Sequence, residues 1–279
     1  MHYAQAHALS HQALQNLAPS IFAEAPFHTM SAKYAFIPTI EVLDELAKAD
    51  FVPVSAVQSR TRIEGKENFT KHQIRLRHRR DLDDPLFGAE VGSVFREVIL
   101  TNSHDGASAY RLEGGLYRKV CSNGLCLPEG GAYGAISVRH SGKIGGEVID
   151  GCIKVLDQAT DFAEKAHAWA ELGMGEGESI LFAEAAGALR WGRSDDGNSL
   201  APVTPNVLLR PRRWDDEKSN LWTVYNRVQE NLVKGGQSGR SSGGRRVRTR
   251  EVTGIDQNTR LNRELSSLAA RFAELKTAN

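Results

Sequence analysis

Residues 71–80 read Lys71-His72-Gln73-Ile74-Arg75-Leu76-Arg77-His78-Arg79-Arg80, and this stretch decides the fold class. Ile74 and Leu76 alternate with Gln73, Arg75, Arg77 and Arg79. That period of two belongs to a strand with one apolar and one polar face. A strand needs partners, and the flanking sequence supplies them. Downstream, residues 94–100 are β-prone, and the Asp105-Gly106 pair after them is a hairpin signal. Residues 107–112 return, Glu113-Gly114-Gly115 reads as a further turn, and 116–121 as another strand. Ser122-Asn123-Gly124 turns again, with short strands expected at 125–127 and 135–139. Upstream, residues 34–38 read as a short strand. Thr39 reads as the cap of a helix carrying Ile40, Leu43, Leu46 and Ala47, and 51–54 as the entry to a second strand.

The period then changes. Val148, Cys152, Val155, Ala159, Phe162, Ala166 and Trp169 recur at steps of four and three, which predicts one long helix over 147–172. Further helices are expected at 178–189, at 221–232 and after Asp256, where Leu261, Leu265, Leu268, Phe272 and Leu275 share a face. Strands segregated from helices predict an α+β fold. Its core is an antiparallel β-meander packed by a long helix (β-β-β-α), followed by a helical C-terminal third. The expected divisions are an N-terminal helical arm (1–30), an α+β core domain (31–190), and a helical C-terminal region (191–279) with a basic Gly/Ser/Arg loop.

Composition limits the function classes. Of 279 residues, 41% are hydrophobic and 25% charged, as in ordinary globular proteins. The net charge of +1 excludes a histone-like polybasic chain. Three cysteines without a CxxC fit a reduced, cytoplasmic protein rather than a disulfide scaffold. No apolar run approaches the ~20 residues of a membrane span, and the first residues do not read as a signal peptide. No membrane association is expected.

The near-neutral total hides two basic clusters. Residues 55–80 hold eight Lys/Arg against two acids, and 234–250 hold six against none, so both are candidate anion sites. In the first, Arg75, Arg77 and Arg79 would share one strand face about 6.6–6.8 Å apart, close to the repeat of an extended nucleic-acid backbone, with Lys71 beside them. The competing structural reading is a polar sheet face with its arginines paired to glutamates. The second reads GGQSGRSSGGRRVRTR over 235–250. Arg240, Arg245, Arg246, Arg248 and Arg250 on a Gly/Ser loop could adapt to a phosphate chain and order on binding. Tyr110 and Tyr117 are candidate base-stacking residues. Trp191, Trp214 and Trp222 are further aromatics in the C-terminal third.

Catalytic signals are absent. Residues 239–246 miss the Walker Lys-Ser/Thr, and there is no GxGxxG, nucleophile elbow or paired-carboxylate motif. His104-Asp105 sits in a turn that needs no metal, and His7/His11 lacks a third ligand. Cys121 reads as a structural thiol. No catalytic residue, metal or cofactor is expected. A pocket joining His104, Asp105, Cys121 and Asn123 would argue for an enzyme.

Several stretches carry a family resemblance: Tyr34-Ala35-Phe36-Ile37-Pro38-Thr39, residues 100–106, residues 118–125, residues 221–231, Arg248-Thr249-Arg250-Glu251-Val252, and Leu261-Asn262-Arg263. Over roughly residues 30–275 the chain resembles a domain-of-unknown-function family carried by phages, prophages and plasmids, the YafZ/YfjQ-like proteins. The resemblance implies a mobile-element setting and supplies no catalytic residues. At the level of topology alone, strands followed by a long helix resemble single-strand annealing proteins of the RecT/Redβ type, which implies a basic groove for single-stranded DNA. The sequence-based expectation is a cytoplasmic nucleic-acid-binding protein of a mobile element. It would bind single-stranded DNA and coat, protect or anneal it, as a homo-oligomer. Reversing Arg75 and Arg77 to Glu is expected to abolish binding with the fold intact. The alternative is a non-catalytic anti-defence or regulatory factor that binds a host DNA-handling protein.

Overall fold

The computed structural model describes residues 8–31, 34–83, 85–86, 94–118, 123–126, 136–137, 144–213, 216–241 and 243–278. In chain order these form α1 (His11–Leu17), α2 (Thr39–Lys48), β1 (Phe51–Gln58), β2 (His72–His78), β3 (Val94–Asn102), β4 (Arg111–Arg118), β5 (Asn123–Cys126) and β6 (Ile136–Ser137). There follow α3 (Ile144–Ala168), α4 (Glu176–Trp191), α5 (Pro205–Leu208), α6 (Leu221–Lys234), β7 (Ser238–Arg240), β8 (Arg246–Arg248) and α7 (Ile255–Thr277). The fold is α+β: β1 to β4 form an antiparallel sheet in sequence order, and α3 follows it. Short strands β5 and β6 both join the sheet at β4.

The alternation in β2 does what its period requires. Ile74 lies opposite Ala56 and Leu100, and Leu76 opposite Pro53 and Val98. Leu100 in turn faces Leu112. Ala56, Ile74, Leu76, Val98, Leu100 and Leu112 form one buried cluster with Leu14 and Ile21 from the N-terminal segment, Leu43 and Leu46 of α2, and Val148 and Val155 of α3. Burying each Leu, Ile or Val is worth about 1.5–3 kcal/mol over leaving it in water. Gly151 lets α3 approach closely: a Cβ there would stand 2.9 Å from Leu112 Cδ1. That contact accounts for a glycine where alanine would favour the helix by about 1 kcal/mol.

Three local expectations are corrected. Residues 34–38 are extended but pair with no strand. Glu113-Gly114-Gly115 is not a turn: β4 runs straight through it, with Glu113 opposite Ile99 and Gly115 opposite Glu97. Pairing along β3 outweighs the turn tendency of two glycines. The Asp105-Gly106 turn is also not a two-residue hairpin. It belongs to a longer connection, in which Asp105 accepts from Ala107 N at 3.0 Å, Ser103 Oγ accepts from Ser108 N at 2.8 Å, and Gly106 takes a φ of +76°.

The described residues divide into two compact units. One takes those up to 124 and between 130 and 161; the other takes those between 125 and 129 and from 162 onward. In the second unit, Phe182 of α4 meets Phe272 of α7 edge-on at 5.3 Å, and Trp169 meets Tyr225 of α6 at 5.7 Å. The Tyr225 hydroxyl lies 3.1 Å from Ser266 Oγ of α7. No helix among the described residues is long and apolar enough to cross a membrane.

A buried polar knot closes the first unit. The Thr39 hydroxyl, at the start of α2, lies 2.9 Å from His72 Nε2 and 3.3 Å from His104 Nε2, and accepts from Asn102 Nδ2 at 3.0 Å. His72 Nδ1 meets Ser20 Oγ at 2.9 Å. All five residues are buried, so the N-terminal segment, α2, β2 and the end of β3 are tied at one point. Thr39 therefore holds the sheet rather than capping its helix, whose cap position is Pro38. Burial, then the neighbouring His104, lowers the His72 pKa to about 3. Burial lowers that of His104 to about 4, partly offset by Asp105.

Both imidazoles are neutral in the fold, whereas the unfolded chain protonates them near pH ~6.5. Between there and the lowered values the unfolded state binds more protons. Stability is thus fully present above about pH 6.5 and is lost as pH falls. We expect unfolding free energy to drop by roughly 1–2 kcal/mol per histidine for each pH unit below ~6.5. The H72Q variant should show a shallower pH slope in urea unfolding; equal slopes would contradict the neutral pair.

Candidate nucleic-acid interface

The arginine row of β2 comes first. Arg75, Arg77 and Glu97 lie on the sheet face opposite the apolar core, with β3 as the neighbouring strand. Arg75 Nε meets Glu97 Oε2 at 2.5 Å, and Arg77 Nη2 meets Glu97 Oε1 at 2.7 Å. The Arg77 guanidinium lies 4.1 Å from the Phe95 ring and also donates to Leu82 O at 3.2 Å. Arg75 lies over Tyr117 at 4.2 Å. Arg77 is 1% exposed and Glu97 likewise. Arg79 is off the strand, in a 3-10 turn, exposed and 3.4 Å from Asp50. Lys71 is half-buried just before β2.

The expected open row of three phosphate-gripping arginines is therefore corrected. No acid lies within residues 71–80, but β3 supplies one across the ladder. The tyrosines change too. Tyr110 is fully buried, so it cannot stack on a base, and Tyr117 has a guanidinium over its ring.

This correction reverses the expected outcome of charge reversal. With Arg75→Glu and Arg77→Glu, three carboxylates would share one buried site. We expect that double variant to be unfolded by circular dichroism. Glu97→Ala, which removes the carboxylate shared by the two guanidinium groups, should cost about 3–5 kcal/mol. A double variant with wild-type thermal stability would overturn this account.

The second cluster is a built structure rather than a loose loop. Strands β7 and β8 form an antiparallel ribbon in which Ser238 faces Arg248, Gly239 faces Val247, and Arg240 faces Arg246. Its tip is closed by Ser241 N donating to Arg245 O at 2.9 Å and by Gly244, at a φ of +76°. Burial alternates along both strands. Gly239 turns toward the body, where a Cβ would come within 1.9 Å of Pro202 O. Arg240 N donates to that same carbonyl at 2.7 Å. A side chain at 239 would lift the ribbon off its support.

The base of the ribbon is locked by polar side chains. Gln237 and Thr249 exchange bonds: Gln237 N donates to Thr249 Oγ1 at 3.0 Å, and that hydroxyl donates to Gln237 Oε1 at 2.6 Å. Gln237 Nε2 reaches Asn231 Oδ1 on α6 at 2.8 Å. Arg212 donates to Asn231 Oδ1 at 2.7 Å and to Gly235 O at 2.5 Å. Arg190 of α4 donates to Leu232 O and Arg250 O. None of these anchors was legible beforehand, because the partners lie up to 60 residues apart in the chain.

Arg240, Arg245, Arg246, Arg248 and Arg250 are all exposed. None of the five pairs with a described carboxylate. Arg240 Nη1 donates to Gly244 O at 3.1 Å and Arg248 Nε to Gly236 O at 2.9 Å, so both lean along the ribbon. Glu230 of α6 is spent elsewhere: it takes a two-pronged bond from Arg213 at 2.6 and 2.7 Å and pairs with Lys234 at 3.1 Å. Trp222 is buried, Trp191 packs on Arg190, and Trp214 lies outside the described residues.

His104 and Asp105 form no open pocket: His104 is buried in the knot, and Asp105 pairs with Lys66 at 3.0 Å. Cys121 and the side chain of Asn123 lie outside the described residues. Among the described residues, no group of three or more His, Cys, Asp or Glu is placed to hold a metal ion.

Comparison with known proteins adds the family. A family model described as "Domain of unknown function (DUF932)" matches residues 26–266. The chain is similar to UPF0380 protein YafZ of Escherichia coli (strain K12), 40% identical over 261 residues, or 94% of this chain and 90% of the relative. It is similar to the same extent to UPF0380 protein YfjQ of that organism, 40% identical over 261 residues covering 94% and 90%. No solved structure matches. With a match spanning both units and relatives aligned over nearly their whole length, the chain belongs to the DUF932 family.

Proposed function

We propose that this protein binds nucleic acid, single-stranded DNA foremost, through the β7–β8 ribbon. The observation that carries this reading is the ribbon's outer face, where Arg240 and Arg246 stand opposite each other with no described carboxylate between them. Like charges directly opposite on a ribbon are destabilising, and a polyanion removes that cost. A guanidinium takes phosphate oxygens through paired, charge-assisted hydrogen bonds. The hydrogen-bonded base spares the ribbon's backbone an ordering penalty on binding. The setting is a mobile genetic element, as the family resemblance implies. Coating, protection or annealing of strands by several copies belongs to the same reading, which the strands-then-helix order of the first unit supports by analogy. The sheet arginines have no part in it.

The test is fluorescence anisotropy of a labelled single-stranded oligonucleotide across a salt series, with the duplex in parallel. The expected result is single-strand affinity that falls linearly in log–log with salt, with a slope of roughly −2 to −4 for three to five phosphates. The R240A/R246A/R248A variant should bind more weakly and with a flatter slope. Absence of binding at low salt, or an unaffected triple variant, would defeat the reading. Loss of oligonucleotide binding alongside capture of an acidic protein by the same arginines would favour a protein partner.

A further inference from the structure

We infer that Arg240 and Arg246 form a clamp on a single phosphodiester group, with Arg248 on the next, and that the ribbon recognises the sugar–phosphate chain without touching bases. This rests on the nucleic-acid reading above and narrows it.

The clamp follows from the register. Ser241 N donates to Arg245 O, and Thr249 N donates to Gln237 O. Hydrogen-bonded pairs in an antiparallel ladder recur every second residue, so 241/245, 239/247 and 237/249 are the bonded pairs. Arg240 and Arg246 then form a non-bonded pair, whose Cα atoms approach to about 4.5 Å with side chains closer than in bonded pairs. Arg240 N, which points out of the ladder to Pro202 O, agrees with this assignment. The two arginine side chains thus leave the backbone side by side, on the face away from Gly239 and its support. Arg248 follows Arg246 at the two-residue spacing of a strand, about 6.6–6.8 Å. A phosphate between the first pair meets two cations at once, and its neighbour along the chain meets the third.

The absence of base contact follows from what residues 235–250 contain. No aromatic residue occurs there, so no ring on the ribbon can stack on a base. Its one amide side chain, Gln237, is occupied by Asn231 and Thr249. Arg240 and Arg248 are tied by Gly244 O and Gly236 O, which keeps their heads low over the ribbon. Among the described residues of the two strands, Ser238, opposite Arg248, is the remaining polar group on that face. Such a surface reads the spacing of phosphates and little else.

Two measurements decide it. In the first, the full-length protein is titrated with a labelled single strand, with an abasic strand of equal length, and with inorganic polyphosphate as competitor. Abasic and ordinary strands should bind within about twofold of each other, and polyphosphate should displace both. If ordinary strands bind and abasic strands do not, or affinity follows base sequence, the inference is wrong while the nucleic-acid reading stands. If no strand binds, both fall. In the second, R240A, R246A and the double variant are compared. Two fingers on one phosphate predict that each single change loses nearly as much affinity as both together. Losses that multiply would mean separate phosphates and no clamp. The free R246A protein should melt no lower than wild type, because a like-charge pair has been relieved. A lowered melting temperature would assign Arg246 a structural role instead.

Discussion

One buried carboxylate organises the first unit. Glu97 on β3 takes Arg75 with one oxygen and Arg77 with the other, at 2.5 and 2.7 Å. The rings of Phe95 and Tyr117 lie against the guanidinium groups. An unpaired charge at such depth is costly. The pairing therefore decides more than local geometry. It keeps the second face of the sheet closed and takes its arginines out of contention as a binding surface. In the function proposed above, anion binding falls to another place.

That place is built differently. The ribbon's five arginines are exposed, and what is buried beneath them is neutral hydrogen bonding. Gln237, Thr249 and Asn231 form a closed exchange, with Arg212 and Arg190 bonded to main-chain carbonyls at the ribbon's root. Gly235, at a φ of +60°, brings its backbone so near Arg250 O that a Cβ there would lie 2.5 Å from it. Arg212 and Arg190 serve as mounts, bonded to main-chain carbonyls at the root, while the ribbon's own five arginines stay exposed. The difference is one of place: Arg212 and Arg190 bond carbonyls at the root, whereas Arg240 and Arg248 bond carbonyls of the ribbon itself and keep their exposed heads within reach of an anion.

The histidine knot shows the same logic with neutral groups. Thr39, His72, Asn102 and Ser20 satisfy one another in a place water does not reach, and the imidazoles remain uncharged because burial disfavours the cation. Residues that look like candidate metal or proton-transfer groups in a list of motifs are here consumed in tying four segments together.

Much of this was legible in the chain. The alternation at residues 73–77 marks β2, the three-four repeat from Val148 to Trp169 marks α3, and the repeat at Leu261, Leu265 and Leu268 marks α7. These signals are local, because the pleat and the helical turn impose their periods on neighbouring residues. The charge of the 235–250 segment was equally plain. Its form was not: a run rich in Gly and Ser reads as a loop until Pro202 and α6 are beside it. Nor could the chain show that Glu97 stands beside Arg75 and Arg77, since cross-strand partners 20 and 22 residues away leave no periodic trace. The amino-acid sequence by itself determined β2, the long helices, their apolar faces and the family. Only the tertiary structure decided which arginines are neutralised and which remain open to a ligand, because that depends on which carboxylates and carbonyls the fold brings within hydrogen-bond reach.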